Sequence, residues 1–424
     1  MRARDGWIAG ASTADQLAVR RHNLAVVMDH LRLSGPMSRA RIAAETGLNK
    51  ATVSSLVAEL GERGLVAEGE TERGAVGRPG LVIELDTTVH VSLGAEISVD
   101  YLSVLAMNLR GDAVAERRIA LDASRLSPEE ILARLAELIR DVLGDLADGT
   151  TVVGLTVAIP GLVESVSGIV HAAPNLGWRE VRVADLLHEL LDDPGIAILL
   201  DNEANLAALA ELDLRGTDAP DEFILLMGGV GIGGGLVTAG QLLRGACGFA
   251  GEVGHLQVTP SGETCRCGRR GCWETVIGLH ALLALAAGAD DVVRDPSVDL
   301  DERLGELRAR AERGDRRTLD AIATITAALV SGAGTLLNIF NPRLLVLGGY
   351  FAVLSPWIEP GLREALHREV FAPKSGGCRI EFSGLGYSAA VRGGAVQAAS
   401  AVFDNPSAFP LTPLVRTVQE VGPA

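Results

Sequence analysis

His255-Leu-Gln-Val-Thr-Pro-Ser-Gly-Glu-Thr-Cys-Arg-Cys-Gly-Arg-Arg-Gly-Cys272 is the stretch on which the reading of this chain turns. It sets His255, Cys265, Cys267 and Cys272 at the spacing of a closed tetrahedral metal site, and zinc is the ion that takes thiolates and imidazole together in that geometry. Gly254, Gly262, Gly268 and Gly271 supply turns tight enough to gather the four donors. Three of the five cysteines fall here, a concentration that cysteines scattered as ordinary small hydrophobes would not produce. Glu252 and Glu274 flank the loop, so the ion is expected to brace a ligand pocket and not to perform chemistry at an open position. Structural Zn2+ is the expected cofactor, and no catalytic residue is assigned.

Outward from this loop, 424 residues with 48% hydrophobic content predict two or three domains. No run of 18 apolar residues occurs and no secretory apolar stretch follows Met1, so a cytoplasmic protein without membrane contact is expected. Cys247 and Cys378 lie apart from the cluster, in keeping with reduced thiols. The net charge of −16 argues against nucleic acid only on average. Residues 1–85 hold 11 Lys and Arg against 10 Asp and Glu, whereas the remainder holds 27 against 44. A DNA contact is therefore expected in the N-terminal segment alone, beside an acidic, ligand-handling body.

In that segment Leu24, Val27, Met28 and Leu31 mark one face of a helix that ends at Gly35-Pro36. Ser38 offers a cap to a short second helix that buries Ile42 and Ala43 and stops at Gly47. Asn49 caps a third, with Val53, Leu56, Val57 and Leu60 turned inward. Lys50, Thr52 and Ser54 then stand at the exposed end that would enter a major groove, with Arg39 and Asn49 beside them. Strands from Gly64 and over Leu81–Leu85 predict a hairpin wing whose tip carries Arg73 and Arg78, and Arg78-Pro79 between glycines suits a minor groove. Beyond residue 88 strands and helices alternate. Strands are expected over Val89–Leu93 and Tyr101–Met107, paired with Arg110-Gly-Asp112 as a turn, and over Thr151–Ile159 after a helix near Ile131–Leu146. Phe223–Met227, Gly235–Val237 and Leu344–Leu347, with helices near Ile277–Ala287 and Arg317–Ile339, give a second, similar lobe. Residues 402–424 have no clear period and receive no role.

Over residues 20–400 the chain resembles the ROK family of bacterial repressors and sugar kinases, and its N-terminal segment resembles the repressor branch. The resemblance rests on Gly229-Val-Gly-Ile-Gly-Gly-Gly235, Gly248-Phe-Ala-Gly-Glu-Val-Gly-His255 and Cys265-Arg-Cys-Gly-Arg-Arg-Gly-Cys-Trp-Glu274. It implies an α/β chain: an N-terminal winged helix-turn-helix over 17–86, then a two-lobed actin-like (ribonuclease H-like) sugar-kinase fold over 88–401, then a tail over 402–424. Lobe one would take 88–203 and the helix 387–401, and lobe two 204–386.

Where the family's kinases carry Asp-Ile-Gly-Gly-Thr-Lys near the ATP phosphates, this chain has Gly94-Ala-Glu-Ile-Ser98, and Glu96 would repel them. The base position of the kinase Asn-Asp pair falls on Glu203 of Asp201-Asn-Glu-Ala-Asn205, one methylene longer. The glycines of Gly229–Gly235 and Gly348-Gly349 either hold a nucleotide or only permit turns at φ > 0. Around a sugar the resemblance implies Asn175, Asn202, Glu203, Glu252, His255 and Glu274, with Asn175 otherwise a turn residue after Pro174 and His255 able to serve ion and sugar with different nitrogens. Arg244 is the cation that would admit a phosphorylated ligand.

The expectation is a sugar-responsive DNA-binding repressor of carbohydrate-utilisation genes without kinase turnover. It would act as a homodimer or homotetramer on a palindromic operator, with cleft closure on the sugar changing the separation of its readers. The alternatives are an ATP-dependent sugar kinase of the ROK type with an appended DNA-binding domain, and a scaffold bound by another protein.

Overall fold

The computed structural model describes residues 16–71, 81–165, 167–192, 195–372 and 377–410, which form two compact units. The first takes the chain up to His90 together with residues from Ser400 onward. Its helices are α1 (Gln16–Ser34), α2 (Arg39–Thr46) and α3 (Lys50–Glu62), and its strands β1 (Met37–Ser38), β2 (Val66–Thr71) and β3 (Leu81–Leu85) form one sheet in the order β1-β3-β2. The expected stripes are buried: Leu24, Val27, Met28 and Leu31 on α1, Ile42 and Ala43 on α2, Val53, Leu56, Val57 and Leu60 on α3. Asn49 caps α3 by accepting from the Thr52 N–H at 2.8 Å. Ser38 occupies the cap position of α2, but its side chain makes no cap hydrogen bond.

The wing is a hairpin, with Val66 opposite Leu85. Gly64 belongs to the turn before it, at φ +67°. Residues 403–409, expected to play no part, pack within this unit: the Arg32 guanidinium lies 4.8 Å from the Phe403 ring centroid and Arg63 donates to the Phe409 carbonyl.

The second unit, Val91–Ala399, is a duplication. Its first half holds β4 (His90–Ile97), β5 (Tyr101–Asn108), β6 (Ala113–Ala120), α4 (Pro128–Gly144), β7 (Thr151–Ile159), β8 (Leu162–Glu164), β9 (Ile169–Ala173), β10 (Trp178–Arg182), α5 (Val183–Leu191), β11 (Ile198–Asn202) and α6 (Glu203–Arg215). Its second half holds β12 (Phe223–Gly228), β13 (Ile232–Thr238), β14 (Gln241–Leu242), α7 (Glu274–Ile277), α8 (Leu279–Ala286), α9 (Leu300–Glu312), α10 (Arg316–Phe340), β15 (Leu344–Gly349), α11 (Tyr350–Val353), α12 (Ser355–Glu369) and β16 (Arg379–Phe382). The closing helix is α13 (Ala389–Asp404). The sheets run β6-β5-β4-β7-β11 and β14-β13-β12-β15-β16, the same path of three meandering strands followed by two parallel ones. β8, β9 and β10 make a small additional sheet in the first lobe.

β4 and β5 pair as expected, turning over Ser98–Asp100 with Ile97 opposite Leu102, and the Arg110-Gly-Asp112 turn leads from β5 into β6. α10 is long and apolar enough to cross a membrane by length and composition, yet it packs as a core helix, burying Ile322, Ile325, Leu329, Ala333 and Leu336.

The glycines of β13 owe their place to space and not to backbone sign, for none from Gly229 to Gly235 has positive φ. α6 lies so close that a Cβ on Gly235 would stand 2.5 Å from the Ala204 carbonyl oxygen. Backbone cannot yield as a flexible side chain can. Gly235→Ala should therefore destabilise by about 1–3 kcal/mol through overpacking, visible as a lowered urea midpoint of the second unit's transition; an unchanged midpoint would show that α6 can move away.

Candidate ligand and metal site

Asn175, Asn202, Glu203, Glu252, His255 and Glu274, named above from scattered motifs, line one pocket between the two lobes. Asn175 stands in the turn that follows Pro174, so its two readings coincide. Glu203 opens α6, Glu252 precedes the 3-10 turn Val253–His255, and Glu274 opens α7. The approach is tight: a Cβ on Gly231 would meet Glu274 Oε2 at 2.6 Å. Asn202 is more committed than expected. Its Oδ1 accepts from the N–H groups of Ala204 and Asn205 at 2.8 and 3.4 Å, and its Nδ2 donates to the Gly161 carbonyl at 3.0 Å, which leaves a single N–H for a ligand.

The four expected metal donors also converge, all within 4.8 Å of one another. Cys267 and Cys272 sulfurs lie 3.7 Å apart, and Cys265 Sγ lies 3.8 Å from His255 Nδ1. A tetrahedron with metal–sulfur bonds of about 2.3 Å has edges of about 3.8 Å, so the cluster could hold such an ion. Gly268 and Gly271 adopt φ +90° and +71°, the left-handed region glycine favours. The loop is anchored by Trp273, fully buried, whose indole lies against Gly332 of α10 and donates to the Ala328 carbonyl at 3.0 Å.

His255 joins the two sites. Nδ1 faces Cys265 and lies 3.6 Å from Glu274 Oε1, while Nε2 looks toward Glu252 Oε2 at 3.8 Å. Arg266, between two of the thiols, donates to the Asn175 carbonyl at 3.1 Å and so ties the metal loop to the opposite lobe. Sequence reasoning missed it; an arginine amid metal ligands was its only signal.

Electrostatically the cleft is severe. Burial first, then the charges of Glu252 and Glu274, push the Glu203 carboxyl up to about 7. Glu96, 4% exposed, is raised to about 8 by burial and by Glu203, against the lowering pull of Tyr101, Arg118 and the Val391 backbone N–H. Next to it Asp100 pairs with Arg303 of α9 at 2.6 Å, both buried, and Arg118 reaches Asp299 and Asp301.

In the first unit Lys50 and Ser54 are exposed at the start of α3, though the Ser54 hydroxyl donates to the Lys50 carbonyl at 2.9 Å. Thr52 is half-buried, Asn49 spends its Oδ1 on the cap, and Arg39 is paired with Glu68 of β2 at 2.6 Å. Arg73 and Arg78 lie outside the described residues.

With this geometry in view, the comparisons define the class. The ROK family profile matches residues 92–401 and the IclR helix-turn-helix domain matches residues 23–69. The chain belongs to the ROK family, in its transcriptional-repressor branch. It is 32% identical over 379 residues to a putative xylose repressor of Caldicellulosiruptor sp. (strain Rt8B.4), covering 87% of this chain and 92% of that one. It is 28% identical over 382 residues to the xylose repressor of Bacillus subtilis (strain 168), covering 90% and 95%. Among solved structures it resembles a ROK family transcriptional regulator, a homologue of the E. coli MLC protein, with TM-score 0.71 and 24% identity over 91% of this chain and 97% of that one.

Glu96 and Glu203 ionise more easily unfolded than folded, so each contributes stability below the ordinary carboxyl value of 4.5 and loses it as pH rises through about 7 to 8. Glu96→Gln, unable to ionise, should lose less melting temperature than the unsubstituted chain between about pH 5 and about pH 8. Equal losses would show that Glu96 titrates normally.

Proposed function

We propose that this protein is a sugar-responsive transcriptional repressor whose second unit binds an unmodified aldose and whose first unit binds operator DNA. The carrying observation is the convergence on one interlobe pocket of six side chains with the chemistry to bind hydroxyls, in a chain that also bears a helix-turn-helix. Carboxylates and amides half-buried in one cleft suit vicinal hydroxyls, and each hydroxyl missed leaves a costly unpaired group. The relatives named as xylose repressors make a pentose the first sugar to try.

His255, Cys265, Cys267 and Cys272 would hold Zn2+ as a structural ion, which braces the wall that carries Glu252 and Glu274. On DNA the reader would work as a symmetric dimer or larger even assembly. Two copies of α3 would enter major grooves about 34 Å apart, with Lys50, Thr52 and Ser54 nearest the bases and Arg39, Asn49, Arg73 and Arg78 supporting them. The sugar must prefer one of two states; a hundredfold preference is a coupling of about 2.7 kcal/mol.

One observation favours the alternative, a ROK-type kinase: Glu203, at the base position, has a carboxyl near 7, suited to accept a proton. Against it stand Glu96 at the phosphate corner and the fully buried rings of Tyr350 and Phe351, centroids 4.4 Å apart, directly after Gly348-Gly349. Incubation with ATP and D-xylose or D-glucose should release ADP no faster than ATP alone; turnover lost in Glu203→Gln would establish the kinase.

Three measurements bear on the regulator itself. Duplex affinity should change on titration with a sugar that binds, and an unchanged affinity would remove the proposal. Lys50→Ala should weaken binding across sequences and reduce the salt slope by about one. Cys267→Ser should lower the zinc retained by the purified chain from about one equivalent to well below it, and full retention would exclude Cys267 as a ligand.

A further inference from the structure

Behind Glu203 the cleft continues into a second space that the sugar reading leaves unused. Pro160, Asn175, Glu203 and Gly231 line both spaces, so Glu203 is a shared wall and a substituent passing it enters the chamber. Its far side carries Glu96, Ser98, Asp100 and Tyr101. Glu96 Oε1 accepts from the Tyr101 hydroxyl at 2.7 Å, whereas Oε2, equally buried, has no hydrogen-bond partner. Glu96 lines this space, and a buried carboxyl oxygen left without a partner calls for a polar group to meet it.

The chamber also states which group it refuses. Among the described residues no Lys, Arg or His lines it, while three carboxylates do. A phosphate brings two negative charges and acceptor oxygens alone, and its usual partners are arginine, lysine or runs of free N–H. Arg244, the cation that could have received one, is held by Asp201 at 2.6 Å and lines neither space. Arg303 is turned to Asp100.

We propose that Glu96 is a ligand-contacting residue that accepts a hydrogen bond from a hydroxyl or amine projecting past Glu203, and that it restricts the effector to unphosphorylated sugars or amino sugars. This rests on the sugar-binding reading above. Glu96 then acts as a specificity filter. A free sugar satisfies Oε2, whereas its phosphate ester would bring its charge into a space that, among the described residues, offers no cation to receive it.

Calorimetric titration of the full chain with D-xylose, D-glucose and N-acetylglucosamine, each beside its terminal phosphate ester, tests this. At least one free sugar should bind, with its ester at least thirtyfold weaker. Glu96→Gln, which turns the acceptor into an amide, should weaken that sugar about tenfold or more while narrowing the gap to the ester. An ester that binds the unsubstituted chain as tightly as its sugar overturns the proposal, and needs no variant to fold. A folded Glu96→Gln chain with unchanged affinity and selectivity overturns it too. If neither sugars nor esters bind, the sugar-binding reading itself falls and takes this subsite with it, an outcome distinct from the other two.

Discussion

Four carboxylates, Glu96, Glu203, Glu252 and Glu274, are held around one cleft, and the fold around them is organised to withstand that concentration of like charge. Left to itself such a cluster protonates or moves apart. Here three of the four are pinned by elements that cannot easily give. Glu203 opens α6, where the helix dipole favours a negative charge and Asn202 closes the cap. Glu274 follows Trp273, whose indole is lodged against α10. Glu96 lies in β4, where a Cβ on Gly94 would run into the Val391 carbonyl, so α13 presses directly on the strand. Packing fixes the groups in place, so the crowding is relieved by protonation, with Glu203 and Glu96 holding their protons up to about 7 and about 8.

His255 belongs both to the cluster that could hold a metal ion and to the pocket lining, and this would couple the two. His255 turns one nitrogen to the cysteine cluster and the other to Glu252, so an ion on Nδ1 would fix which nitrogen carries the proton facing the cleft. Arg266 extends the link, because the loop that carries Cys265 and Cys267 also holds the Asn175 turn of the opposite lobe. A loop that held an ion at one end and the far wall at the other could not lose the first without loosening the second. By linkage, a ligand that orders Asn175 would then tighten ion binding to the same degree.

Local patterns were legible in the sequence, and long-range ones were not. The stripes of α1, α2 and α3, the buried strand Thr151–Ile159 and the four metal donors follow from spacing within about twenty residues, and each stands where the pattern puts it. β6 escaped notice because Ala-Val-Ala-Glu-Arg-Arg-Ile-Ala is an edge strand with no buried face to impose alternation. α9 reads as a solvated charged helix, yet it buries Arg303 against Asp100, a partner 203 residues away. The β13 glycines suggested turns, whereas what they supply is room for α6, a neighbour that composition does not reveal. The six ligand residues came from resemblance and not from periodicity, and the cap duties of Asn202 show what a motif alone leaves out.

The same geometry explains how a kinase-like body can serve as a sensor. Phosphoryl transfer depends on positioning and on stabilising the charge of the moving group, so the corner that receives ATP phosphates must be open and electropositive. In this chain that corner holds Glu96 hydrogen-bonded to Tyr101, with Asp100 paired to Arg303 beside it. The cation nearest the turn is neutralised by a carboxylate of its own, and the room behind Gly348-Gly349 is filled by Tyr350 and Phe351. These substitutions leave the sugar pocket intact, because Glu203 forms the wall between the two spaces. What remains is a cleft able to discriminate hydroxyl patterns, whose use depends only on which state of the protein the sugar prefers.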